Sequence, residues 1–307
     1  VSMREKYESL SLAALRDIAK ARKLKGVSTM KKSELIELML EQDEKDKAKE
    51  VKEEIKNEKA GVADIEQLDS GMVAHGIIEV LPDGYGFIRS DNYLPGENDV
   101  YVSPSQIRRF GLKTGDIISG NTRIKTQAEK FSALLYLTKI NGVSPSEATK
   151  RANFEDMTPI FPNERLRLEN GQSSTAMRIV DLLSPIGKGQ RGMIVSPPKA
   201  GKTTLLKQVA QSVLKNNPEM HLLILLIDER PEEVTDIKEA ITGENVEVIY
   251  STFDELPEHH RRVSEMVIER AKRLVEHKKD VMILLDSITR LARAYNLTVP
   301  PSGRTLS

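Results

Sequence analysis

The eight residues from Ser196 to Thr203, Ser-Pro-Pro-Lys-Ala-Gly-Lys-Thr, can do the most chemistry. A loop ending in Gly-Lys-Thr at the head of a helix cradles phosphates. Successive backbone N–H groups, those of the helix N-terminus included, point at anionic oxygens. Lys202 then reaches the β- and γ-phosphates, and the Thr203 hydroxyl ligates Mg²⁺. The usual first glycine is Ser196 here, and Pro197-Pro198 stiffen the loop by fixing φ. Pro198, Lys199, Ala200, Gly201, Lys202, Thr203 and Thr204 are therefore the expected nucleotide contacts, with ATP and Mg²⁺ as the expected ligands.

Two apolar runs downstream end in acids. Leu222–Ile227 leads into Asp228-Glu229-Arg230, and Val281–Leu285 into Asp286-Ser287. In an open parallel sheet the C-terminal strand ends face the ligand crevice. Asp286 is expected to hold Mg²⁺ through water. Glu229 is expected to orient and deprotonate an attacking water. For Asp228, capping the following helix is the favoured reading. Arg230 and Arg290 stand beside these acids, where γ-phosphate sensing and structural ion pairing are both open.

A second chemistry lies upstream, in Gly84-Tyr85-Gly86-Phe87-Ile88-Arg89. On a strand Tyr85, Phe87 and Arg89 share a face. Two rings and a guanidinium make a base-stacking platform. Asp99, Tyr101, Glu129, Lys130 and Phe131 fall on neighbouring strands or their ends. The competing reading is that the rings are barrel core. Against it, Val73, Ile77, Val80 and Ile88 supply an apolar face, and Arg89 would be rejected by a core. Over residues 71–150, Lys plus Arg number nine and Asp plus Glu eight. Single-stranded nucleic acid would then be held by stacking and base-edge hydrogen bonds, with a shallow salt dependence. Nearby carboxylates favour bases with amino donors, such as cytosine.

The elements that must position these residues follow from periodicity. The chain has 307 residues, 39% hydrophobic and 30% charged, which suits two or three domains with real cores. Residues 1–65 read as a helical hairpin or bundle, with Leu10, Leu12, Leu15, Ile18 and Ala19 at helical spacing, followed by a charged helical spacer over Asp43–Lys59. Residues 70–145 show about five short strands with turn signals, the pattern of a small antiparallel barrel. From 150 to 307, apolar strands (Gly192–Val195, His221–Ile227, Val246–Ser251, Val281–Leu285) alternate with helices (Thr203–Leu214, Pro257–His277), which implies a covered parallel sheet. His259 and His260 read as solvent-facing helix residues.

Composition excludes several classes. Forty-six basic residues balance forty-six acidic ones, so this is no polybasic protein. With no cysteine there is no disulfide, thiolate zinc site or iron–sulfur cluster, which fits a reducing cytoplasm. No run approaches the roughly 20 apolar residues of a membrane span, so no membrane association is expected.

The motifs together resemble the Rho family of bacterial transcription termination factors. Asp83–Arg89, Asp99–Phe110 and Glu129-Lys130-Phe131 resemble the family's RNA-binding motifs. Pro197–Thr203 is similar to its particular phosphate loop. Ile227–Thr235 and Leu284–Arg290 resemble its catalytic-glutamate and magnesium-aspartate strands. The resemblance implies an N-terminal helical bundle, a cold-shock-like OB barrel and a RecA-like P-loop ATPase domain. It implies a homo-hexameric, ATP-dependent RNA helicase that binds cytosine-rich nascent RNA and acts on RNA polymerase alongside elongation factors. Family members continue past Ser307 with channel loops and an arginine finger. The expectation for this chain is therefore an incomplete ATPase domain, weak turnover and poor hexamer assembly. Two other classes stay open: an RNA-binding module with a weakly active or inactive ATPase domain, and a RecA-like ATPase with a non-RNA task.

Overall fold

The computed structural model describes residues 33, 36, 37 and 68–300, apart from 90, 91, 127, 128 and 172–174. Most of the helical region and charged spacer expected over 1–65 lies outside the described residues. The chain divides into two compact units, residues 1–68 and 69–307.

Within the second unit, five strands close a barrel: β1 (Asp69–Val80), β2 (Gly86–Arg89), β3 (Val100–Val102), β4 (Ile117–Arg123) and β5 (Ser132–Ile140), in the order β1-β2-β3-β5-β4. Only β3 and β5 run parallel; their pairing closes the ring and leaves no free edge. Ile78, Ile88, Val102, Ile118, Leu134 and Ile140 fill the interior. Val73, read from its alternation as a core residue, is exposed, because the barrel core takes Ala74 and Ile78 from the other face of β1. Helix α1 (Pro104–Phe110) follows β3. Ser103 and Gln106 cap its start reciprocally, Pro104 opens it, and Gly111 ends it. Helix α2 (Pro145–Ala148) places Ala148 in the barrel core.

Beyond the barrel, β6 (Arg165–Leu166) and β7 (Ile186–Gly187) pair across helix α3 (Thr175–Leu183), a small layer that periodicity does not reveal. Helix α4 (Lys202–Asn216), strand β8 (His221–Glu229), helix α5 (Pro231–Ala240), strand β9 (Val246–Thr252), helix α6 (Pro257–Glu276), strand β10 (Val281–Asp286) and helix α7 (Ile288–Thr298) follow. The parallel sheet runs β10-β8-β9. Central β8 is apolar from Leu222 to Ile227 because both of its faces are covered. Leu222, Ile224 and Leu226 pack with α4 and α5, whereas Leu223, Leu225 and Ile227 pack with α6.

Two expectations are corrected. Gly192–Val195 forms no strand; Met193 is 70% and Val195 84% exposed. A strand needs a neighbour to accept its hydrogen bonds, and among the described residues none lies beside this segment. His260 is buried rather than solvent-facing.

Barrel and sheet meet at α6. Gly115, at φ 96°, lies against the Glu269–Arg270 backbone, where an added Cβ would come within 2.5 Å of the Glu269 carbonyl carbon. Arg151 is buried between Asp116 and Glu276, and Lys113 also pairs with Glu276 at 2.9 Å.

Candidate functional site

Gly201, in the left-handed region at φ 84°, turns the loop into α4, so Lys202 opens the helix. Pro197–Gly201 are exposed. Strand β10 delivers Asp286 to the same place, and the Thr203 hydroxyl lies 3.1 Å from its Oδ2. These hydroxyl and carboxylate oxygens are hard donors of the kind Mg²⁺ takes. No cluster of three or more His, Asp or Glu suited to a metal occurs among the described residues. The donor set therefore fits a cation shared with phosphates and water. Lys202, Asp228, Arg230, Phe253, Arg290 and Arg293 line an open cleft of about 940 Å³.

Glu229 ends β8 at 5% exposure. Burial pushes its carboxyl up to about 7. The Arg290 guanidinium, 3.0 Å away, opposes this, while Glu233 and Asp286 add to it. Desolvation outweighs the one cation because Arg290 is itself one-third exposed and screened. Arg290 also donates to the Asp228 carbonyl. Asp228 does not cap α5: its φ is 56°, and Arg230 occupies the N-cap position. The left-handed turn at Asp228 comes just before the buried Glu229. Phe253 and Arg293 escaped the sequence reading. Phe253 follows β9 directly, and Arg293 stands one turn beyond Arg290, so strand-end and i+3 spacing were the available signals.

On the barrel, β2 and β3 pair Phe87 directly with Tyr101. Tyr85, Phe87 and Tyr101 have ring centroids 5.8–5.9 Å apart, and Phe131 lies 5.1 Å from Phe87. All four rings are half-buried, and the barrel core is made by other residues. The Arg89 guanidinium sits 5.0 Å from the Phe87 centroid, and the Lys130 ammonium 5.2 Å from that of Phe131. Hydrogen bonds from Thr126 and, after them, the Arg123 guanidinium keep the Glu129 carboxyl below the usual range.

Burial does not reject Arg89, contrary to expectation. Arg89 is 6% exposed and is accommodated because it is paired twice, with Asp99 and with Glu79. Asp99 is 2% exposed, and its Oδ1 has no hydrogen-bond partner. Glu79 was missed. It lies opposite Phe87 across β1 and β2, a register the one-dimensional pattern does not reveal.

A phosphate-loop domain and a barrel with an aromatic platform on one chain define a nucleotide-binding protein with a nucleic-acid-type module. Residues 176–298 match the ATP synthase alpha/beta family, nucleotide-binding domain. Residues 74–146 match the Rho termination factor, RNA-binding domain, and residues 6–47 its N-terminal domain. The chain is a relative of the transcription termination factors Rho. It is 57% identical over 237 residues to that of Pseudomonas aeruginosa, covering 76% of this chain and 56% of the relative. It is 47% identical over 309 residues to that of Aquifex aeolicus and 46% over 301 to that of Bacillus subtilis. These two matches cover 99% and 98% of this chain and 65% of each relative. The chain thus spans between 56% and 65% of the length of the curated relatives it matches. Among the described residues no helix is long and apolar enough to cross a membrane.

Proposed function

We propose that this chain captures pyrimidine-rich single-stranded RNA on its barrel and ATP with Mg²⁺ at its phosphate loop, and that the whole protein is an RNA-dependent ATPase and helicase terminating transcription. The observation carrying the reading is the four-ring platform with Arg89 and an unpartnered Asp99 oxygen. The rings stack bases, and the buried acceptor suits the amino group of cytosine. Residues 70–145 are the RNA-binding segment, 150–307 the ATPase segment and 1–65 a helical appendage. RNA polymerase, elongation factors and a homo-hexamer are the partners proposed for the whole protein, with the cytoplasm as its place of action.

In the nucleotide cleft, Lys202 and the loop N–H groups hold the phosphates, and Pro198, Lys199, Ala200 and Thr204 shape the contact. Thr203 and Asp286 hold Mg²⁺, the latter through water. The bound cation supplies charge neutralisation at the phosphates. Glu229 is the base: with its carboxyl near 7, it takes a proton from water while largely ionised above neutrality. Arg290 orients Glu229, and Arg230 faces the developing charge on the γ-phosphate.

A specific observation favours a second reading, an RNA-binding module with weak turnover: the phosphate loop is exposed and Gly192–Val195 joins no sheet. The test is steady-state ATP hydrolysis with and without poly(C), beside Lys202→Ala and Phe87→Ala. RNA-stimulated turnover lost in both variants supports the coupled enzyme. RNA binding without hydrolysis supports the module.

A further inference from the structure

The loop between β2 and β3 begins at Arg89 and ends at Asp99, and these two residues pair with each other in the platform. Its middle is fastened to the other half of the molecule. The Asn92 carboxamide bonds the Tyr250 backbone both ways: it donates to the carbonyl, and its oxygen accepts the Tyr250 N–H at 3.0 Å. It thus occupies the outer edge of β9 as a strand would. The Tyr93 hydroxyl donates to Glu247, and Leu94 packs with Ile249, Val263 and Val267. A second tie runs beside the first. The Glu79 carboxylate accepts from Arg89 and, through both oxygens at 2.6 Å, from Arg262 of α6.

Both ties end next to the catalytic strand. Tyr250 stands opposite Leu226 of β8, and Thr252 opposite Glu229. Helix α6 packs on β8. The Arg89–Asp99 pair is therefore linked through Glu79 and Arg262 to a helix that packs on β8, and Asn92 is bonded to β9, which pairs with β8. Asp99 Oδ1 is buried, so a base that reaches it has to displace the Arg89–Asp99 pair, beside which both ties begin.

We propose that Asn92, Tyr93 and Leu94, with the Glu79–Arg262 pair, form a strap through which base capture on the platform changes nucleotide affinity at the phosphate loop of the same chain. The proposal rests on the reading of the two sites given above. Asn92, Tyr93, Glu79 and Arg262 are positioning residues.

The test measures coupling directly, with no need for turnover. A fluorescent ATP analogue is titrated with and without saturating oligo(C), and oligo(C) with and without saturating analogue. Linkage requires the same factor in both directions. The expected factor for the parent chain is at least about fivefold. In Asn92→Ala and Arg262→Met it falls towards one, while each ligand's affinity measured alone changes little. Tyr93→Phe, which loses only the hydroxyl, gives an intermediate factor and guards against misfolding of the other two, as does circular dichroism. If the parent binds both ligands with a factor of one, or the variants keep the parent's factor, the strap is overturned and the two site assignments stand. If the parent binds neither ligand, the site assignments fall and the strap with them.

Discussion

In the barrel, five strands close on themselves, and each ring of the platform has another ring within 6 Å. In the other half, helix α4 and strands β8 and β10 bring Thr203, Glu229 and Asp286 to one place, beside a loop that lies open. The first site is built mostly within and around one sheet hairpin and is held by its own packing. The second depends on the mutual placement of α4, β8, β10 and α7. A locally built site tolerates distant damage; one assembled from strand ends does not. RNA binding should therefore survive changes that abolish nucleotide turnover.

The sharpest way to break the contrast is at the shared wall. Arg151→Met leaves Asp116 buried without its cation, at a cost of about 3–5 kcal/mol, while Glu276 keeps Lys113 and Arg273. The expected outcome is a large fall in melting temperature, read by circular dichroism. If nucleotide affinity falls while oligo(C) affinity holds, the barrel stands alone as a folding and binding unit. If both fall together, the contrast is wrong.

Next in size are the two site variants. Phe87→Ala should weaken oligo(C) by about 1–3 kcal/mol and leave the ATP analogue unaffected. Lys202→Ala should do the reverse, losing about 1.5–3 kcal/mol of charged hydrogen bonding to phosphate. Fluorescence anisotropy on both ligands checks the pair.

The third prediction uses acidity. Hydrolysis that needs ionised Glu229 should fall as pH drops through about 7. Arg290→Met removes the cation that holds that carboxyl down, so the acid limb should move to higher pH. Folding stability runs the other way. A carboxyl raised in the folded state favours the protonated form, so Glu229 costs stability as pH rises from its ordinary range through 7. Glu229→Gln should flatten that decline in urea titrations at pH 5 and pH 8.

The smallest expected effect is ionic. With nine basic and eight acidic residues over 71–150, the log–log salt slope of oligo(C) binding should be shallower than about −5. Lys130→Ala should reduce it by at most about 0.7, the contribution of one phosphate. A steeper parent slope would mean that phosphates, not rings, hold the strand.

The sequence made much of this legible. Period-two runs located all five barrel strands, and continuous apolar runs located β8, β9 and β10, because in each case side-chain pattern and burial coincide. Type and spacing put Tyr85 and Phe87 on one strand face and Tyr101 on a neighbouring strand, and the three rings do meet. What escaped depends on pairing between distant residues. Glu79 matters because of register, Asn92 because β9 offers an open edge, and Arg89 is tolerated in the interior because two carboxylates meet it there. Met193–Val195 shows the opposite failure: strand composition without a strand, since local preference cannot supply a neighbour.

That same segment has a colloidal consequence. An exposed Met-Ile-Val run outside any sheet is a ready partner for another such run, so chains should meet there at high concentration. Light scattering should then rise with concentration at fixed salt, and Ile194→Lys should suppress it. Every affinity measured on this chain therefore belongs to a stated concentration, at which its monomers are shown to stay apart.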